Sequence, residues 1–156
     1  RFALGRSLGH ACQGTGALVD IRPDELAAVW AGAARAAGLS ELPPALAAAA
    51  DSDPDGTDER AALIYKHLSR RDRKTLAGRK SDFAALGDGA AWRRSAVRMA
   101  TRSGLLLAGA AGAAFQALEW GRGEVSIAEE PGALELLVWM VGVDHLALRR
   151  ALGLRV

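Results

Sequence analysis

The residues of this 156-residue chain that could do chemistry are few and far apart. Cys12 is its one cysteine and stands two residues from His10, while His67 and His145 are isolated by long intervals. A zinc site needs three or four ligands converging at about 2.0–2.3 Å, and its local signature is a short ligand spacing that none of these residues shows. On a helix His10 and Cys12 would diverge, and no identifiable base stands beside the thiol to make it a nucleophile. Cys12 therefore reads as an inert core thiol. A lone cysteine also excludes an internal disulfide and predicts a reducing, cytoplasmic setting. Gly5-Arg6-Ser7-Leu8-Gly9 and Gly14-Thr15-Gly16 lack both the lysine and the preceding strand of a phosphate-binding loop. Glu119, Glu124, Glu129, Glu130 and Glu135 show no pairing that implies acid–base work.

The densest acidic run is Asp51 to Glu59 (DSDPDGTDE). A calcium-loop count started at Asp51 places aspartates at the first, third and fifth positions and Gly56 at the central one. It then breaks at the twelfth, where Ala62 stands in place of a bidentate glutamate. The aspartates, glycine, serine and proline predict a flexible acidic loop over 51–59, with a weak surface cation site as the alternative. No metal or cofactor is expected.

The basic residues are more informative. The formal charge of +2 conceals an asymmetry, because Lys66 to Arg102 holds eleven basic residues and three acids, a balance of +8 that leaves −6 for the remainder. Charges across a domain are screened over about 8 Å at physiological salt, so a partner feels the local balance and not the total. Arginine accounts for 17 of the 20 basic residues, and its planar fork suits carboxylates. Arg70, Arg71, Arg73, Lys74, Arg94, Arg98 and Arg102 are the expected binding face. Nucleic acid is possible but no motif supports it, since zinc-finger spacing is absent and Tyr65 is the only tyrosine.

The elements that must position these residues are helices. Ala occurs 34 times and Leu 22, against 3 Ile, 8 Val and 3 Phe, a mixture rich in helix formers and poor in strand formers. Leu4, Leu8 and Cys12 mark a first helix that Gly14 and Gly16 end. A second opens at Pro23 with Asp24 and Glu25 in its first turn, buries Leu26, Val29, Trp30 and Ala33, and stops at Gly38. Pro43-Pro44 precede a short alanine-rich helix ending near Ala50. Ala61, Leu63, Ile64 and Leu68 mark another, and Ser69 with Asp72 caps the next, which closes at Leu76.

The longest segment, Gly89 to Ser103, carries Trp92, Ala96, Met99 and Ser103 on one stripe and Arg94, Arg98 and Arg102 on another. Gly104 to Leu118 is uncharged but only 15 residues long, short of the roughly 20 that span a bilayer, so it reads as a core helix with no membrane span. Its small residues Gly109, Ala110, Gly112 and Ala113 predict a close helix approach. Gly121-Arg122-Gly123 is a break, Glu124 to Ile127 an extended piece, and Glu129 to Met140 and Asp144 to Leu152 a last helix pair that Asp144 caps. Trp30, Trp92, Trp120 and Trp139 read as core plugs. The expected fold is all-α, a single domain over 1–156 forming a compact bundle of about seven short to medium helices.

Two stretches, Ser69 to Leu76 (SRRDRKTL) and Ala91 to Leu107 (AWRRSAVRMATRSGLLL), resemble the C-terminal region of large bacterial tetratricopeptide-repeat proteins. There an S-R-x-x-R-K-x-L element precedes a helix of the form W-x-R-x-x-x-R-x-A-x-R-x-G-L-L, and the region ends near an L-R-R-x-L-G-L like Leu148 to Leu154. The resemblance covers most of Ala61 to Leu154. It implies a helical module appended to a scaffold, in keeping with a chain that opens on Arg1-Phe2 as a piece of a longer one, and it carries no activity or ligand with it.

The expected function is that of a non-catalytic protein-interaction or assembly module, not an enzyme. Its expected partner is an acidic protein surface or another segment of the parent chain. A nucleic-acid or other polyanion binding module and a small metal- or thiol-dependent enzyme are the alternatives.

Overall fold

The computed structural model describes residues 1–86, 88–118 and 131–155. Among the described residues the chain is all-helical and holds no strand. Nine α-helices follow one another among the described residues: α1 Phe2–Gln13, α2 Pro23–Ala36, α3 Pro44–Ser52, α4 Pro54–His67, α5 Arg70–Gly78, α6 Gly89–Ala108, α7 Ala111–Ala117, α8 Pro131–Val141 and α9 Val143–Ala151. A 3₁₀ turn, Lys80–Ala85, precedes α6 and brings the count to ten, where about seven were expected. The expected break at Gly121–Gly123, the extended piece Glu124–Ile127 and Trp120 lie outside the described residues.

Local chemistry starts and stops the short elements. The stretch expected as an acidic loop, 51–59, is helical on both sides of Asp53. α3 runs to Ser52, and α4 begins at Pro54 with Asp53 as its N-cap and Asp55 in its first turn. The Asp53 carboxylate accepts from the Gly56 N–H at 3.1 Å. Residues that form turns are the same ones that satisfy the free N–H groups of a helix start, and proline at the first helical position loses no hydrogen bond. The Arg60 guanidinium, 3.0 Å from Asp53, then helps hold that carboxyl below its usual range, with the Gly56 N–H as the second cause.

Contacts divide the chain into two compact units, one of Arg1–Val19 with the residues from Ser95 onward, the other Asp20–Arg94. The boundary between the two units falls inside α6. In the second unit Leu26, Trp30, Ala31 and Ala34 of α2 are buried with Leu46 and Ala50 of α3 and Phe83 of the 3₁₀ turn. Val29 and Ala33 are half-buried. α2 and α4 approach closely at Gly32, where an added Cβ would meet the Arg60 Cβ at 2.8 Å. Trp30 packs edge-on against Trp92, ring centres 5.5 Å apart and planes at 83°, an arrangement that favours aromatic pairs by about 1 kcal/mol beyond burial.

In the first unit the core is Phe2, Leu105, Ala114, Phe115, Ala133 and Leu136, with Trp139 and Met140 packed against it. The stripe expected inside on α1 faces out. Leu4 and Leu8 are exposed, whereas Phe2, Gly5 and Gly9 are buried. The reason is the partner: a Cβ at Gly5 would lie 2.7 Å from the Ser103 carbonyl oxygen, and one at Gly9 would lie 2.9 Å from the Ala100 Cα. Only glycine lets the two backbones come this near. α6 answers with Gly104, whose missing Cβ leaves room for the Phe2 ring.

The buried side of α6 accordingly runs through Ala96, Ala100, Thr101 and Leu105, while Met99 of the expected stripe is exposed. Of the close approach expected at Gly109–Ala113, Gly109 is the crowded position, a Cβ there meeting the Arg149 Nη2 of α9 at 2.9 Å. Gly109, at φ +73°, ends α6, and a Cβ at Gly112 would meet nothing within 4 Å. Among the described residues no helix is long and apolar enough to cross a membrane.

Candidate interaction surface

The start of α5 is fixed locally. The Ser69 hydroxyl accepts from the Asp72 N–H at 3.2 Å and donates to the Asp72 carboxylate at 2.6 Å, the cap that its spacing predicts. α5 buries none of its residues. Arg73 is its anchor, for its Nε donates to the Leu68 carbonyl at 3.0 Å and its guanidinium lies 4.1 Å above the Tyr65 ring. Arg70, Arg71 and Lys74 stand exposed, and among the described residues none of the three has a carboxylate within ion-pair reach. Lys74 lies four residues from Arg70 and three from Arg71, spacings at which like charges repel by roughly 0.2–0.5 kcal/mol per pair. A bound carboxylate relieves that repulsion.

The arginines of α6 are placed differently. Arg94 lies 3.8 Å from Asp88, both exposed. Arg98 and Arg102 converge on Glu135 of α8, at 3.0 and 2.8 Å, one on each carboxylate oxygen. Arg102 is half-buried and lies 5.4 Å over the Trp139 ring. Both guanidinium groups therefore already hold a carboxylate of their own chain. They belong to the first unit and α5 to the second. Of the seven expected cations, those without an ion-pair partner among the described residues are Arg70, Arg71 and Lys74, with Arg94 only loosely paired.

The His10 Nδ1 is 2.9 Å from the Thr15 hydroxyl, and His67 is exposed. Cys12, expected as a core thiol, is exposed too, because the glycine side of α1 is the one that packs. His145 is buried against Trp139 and donates from Nδ1 to the Met140 carbonyl at 2.6 Å. Among the described residues no three His, Cys, Asp or Glu side chains come together as a metal would need. An open groove of about 370 Å³ on α4 is lined by Glu59, Ala62, Leu63 and Lys66.

Two residues passed over in the sequence organise the first unit. Glu135, an isolated acid by spacing, pairs with two arginines. Arg149 donates from Nη1 to the Leu106 carbonyl at 2.6 Å, and its Nε and Nη2 donate to the Arg155 carbonyl, so it caps the C-terminal end of α6. The signal for Glu135 was its solitude in an otherwise uncharged helix; Arg149 offered none beyond its Leu148–Leu154 context. Comparison with family models, with curated proteins and with solved structures finds no match for this chain.

Proposed function

We propose that this chain is a non-catalytic helical interaction or assembly module that takes an acidic protein segment, from another protein or from elsewhere in its parent chain, along the exposed side of α5. The observation that carries the reading is the state of Arg70, Arg71 and Lys74: three cations within five positions of a capped helix that buries nothing, with no carboxylate within ion-pair reach of them among the described residues. Ser69 and Arg73 support the helix that carries them, so the backbone presenting the charges is formed before a partner arrives. The likeness of Ser69–Leu76 and Ala91–Leu107 to tetratricopeptide-protein C-termini supports a place beside a helical scaffold. The reading sets the module in the cytoplasm, where an exposed lone thiol stays reduced.

The test is a binding titration by fluorescence anisotropy, with a glutamate-rich peptide and a single-stranded oligonucleotide of equal charge as probes at matched ionic strength. The peptide is expected to bind the more tightly, and the triple variant Arg70→Ala, Arg71→Ala, Lys74→Ala to weaken it about tenfold, the sum of three exposed contacts of roughly 0.5 kcal/mol each. Unchanged peptide affinity in the triple variant overturns the reading. Preference for the oligonucleotide at matched salt transfers the surface to polyanion binding.

A further inference from the structure

We infer that the outer face of α8 is a self-association surface, which pairs with the same face of a second copy of this chain. Glu135 is the only ionisable residue of α8 (PGALELLVWMV), and Arg98 and Arg102 hold it. A helix apolar all round is ordinarily buried all round. α8 is covered on one side only: Ala133 and Leu136 are buried and Trp139 and Met140 pack on the core. Leu134, Leu137, Val138 and Val141 recur at the i, i+3, i+4, i+7 spacing of a helix-pairing stripe and are exposed, from 36% at Leu137 to 78% at Val141. Val143, two residues on and the first of α9, is 80% exposed.

Area and charge select the occupant. The five side chains leave on the order of 500 Å² of apolar surface, near the upper end of what a monomer shows as its largest patch. Two copies face to face remove about 1,000 Å², the size at which specific interfaces begin. In a two-fold pairing the same patch meets itself, residue i against j and j against i, so a face of leucine and valine side chains is its own complement. A charged partner would find nothing on it to pair with. Pairing through α8 does not depend on the role proposed for α5.

The experiment is sedimentation equilibrium of the 156-residue chain over roughly 1–200 μM protein, the range in which a small apolar interface dissociates. The expected mass rises from 16.3 kDa toward twice that value. Val138→Asp and Val141→Asp, at exposed positions, keep the helical circular dichroism and raise the dissociation constant by about 100-fold, because dimerisation would bury an unpaired charge. Leu63→Asp, comparably exposed on α4, leaves the dimer intact. As a measure that needs no destabilising change, Val138→Cys in a Cys12→Ser background forms a disulfide-linked dimer on mild oxidation, and Leu63→Cys in that background does not. A monomer across the whole range overturns the proposal, as it would if another segment of a longer chain covered the face. So does a dimer indifferent to both aspartates.

Discussion

Adding a single methyl group at Gly5 probes the contact that turns α1 inside out. In an unobstructed helix, replacing glycine by alanine stabilises by about 1 kcal/mol, because the unfolded chain loses freedom it no longer has to surrender. At Gly5 the new Cβ would lie 2.7 Å from the Ser103 carbonyl oxygen, 2.9 Å from the Gly104 Cα and 3.2 Å from the Leu107 Cβ. The two nearest atoms are backbone and cannot rotate aside. Carbon atoms rest at about 3.5–4.0 Å, so α1 must retreat by roughly 0.7 Å and loosen Phe2 from Gly104. Overpacking of this kind costs about 1–3 kcal/mol, which exceeds the propensity gain. Gly5→Ala is therefore expected to destabilise by about 1 kcal/mol net and to lower the melting temperature by roughly 2–4 °C in a chain of this length. Gly112→Ala, in α7 with nothing within 4 Å of its added Cβ, supplies the opposite sign and raises the midpoint. Thermal and urea melts followed by far-ultraviolet circular dichroism measure both. If Gly5→Ala stabilises as much as Gly112→Ala, the close-approach argument is wrong.

Ser69→Ala removes the α5 cap and is expected to cost about 1 kcal/mol, measured as faster amide exchange confined to α5, together with weaker peptide binding; protection equal to wild type refutes the cap's role. Asp53 has its folded-state pKa lowered, first by Arg60 and then by the Gly56 N–H, so its contribution is complete above the unfolded carboxyl value near 3.8 and is lost as pH falls through the lower folded one. Asp53→Asn should accordingly lower the urea midpoint at pH 7 and differ progressively less from wild type below about pH 4; a gap of constant size across that range contradicts the assignment. Glu135→Ala leaves Arg98 and Arg102 without their carboxylate. It should cost about 1 kcal/mol at low salt, a partly exposed pair being screened, and less at about 1 M salt, as read from melts in the two conditions.

Features that depend on residues within one helical turn were legible. α2 opens at Pro23 and stops at a positive-φ Gly38, α1 ends at Gly14, and Ser69 caps α5, each at the expected place. Asp51–Glu59 misled because turn chemistry and helix-cap chemistry use the same residues, and only the chain on either side decides between them. α9 illustrates the same ambiguity: Asp144 sits in its first turn, while the cap position belongs to Gly142. The basic stripe was legible as a spacing but not as a surface. Arg98 and Arg102 recur correctly on α6, yet the acid that claims them stands 33 residues beyond Arg102. Arg70, Arg71 and Lys74 kept their exposure because α5 has no buried side on which to spend them.

By itself the sequence determined that the described chain is helical and where several helices begin and end, since alanine-leucine propensity, prolines, caps and stop glycines act through neighbouring backbone groups. Tertiary structure decided which side of each helix is inside. Leu4 and Leu8 have the better apolar pattern, but Gly5 and Gly9 are buried, because contact between α1 and α6 is set by how near two backbones can come, and that is a property of the pair. The same holds for charge: whether an arginine is spent within the chain or open to a partner depends on a carboxylate brought to it by folding.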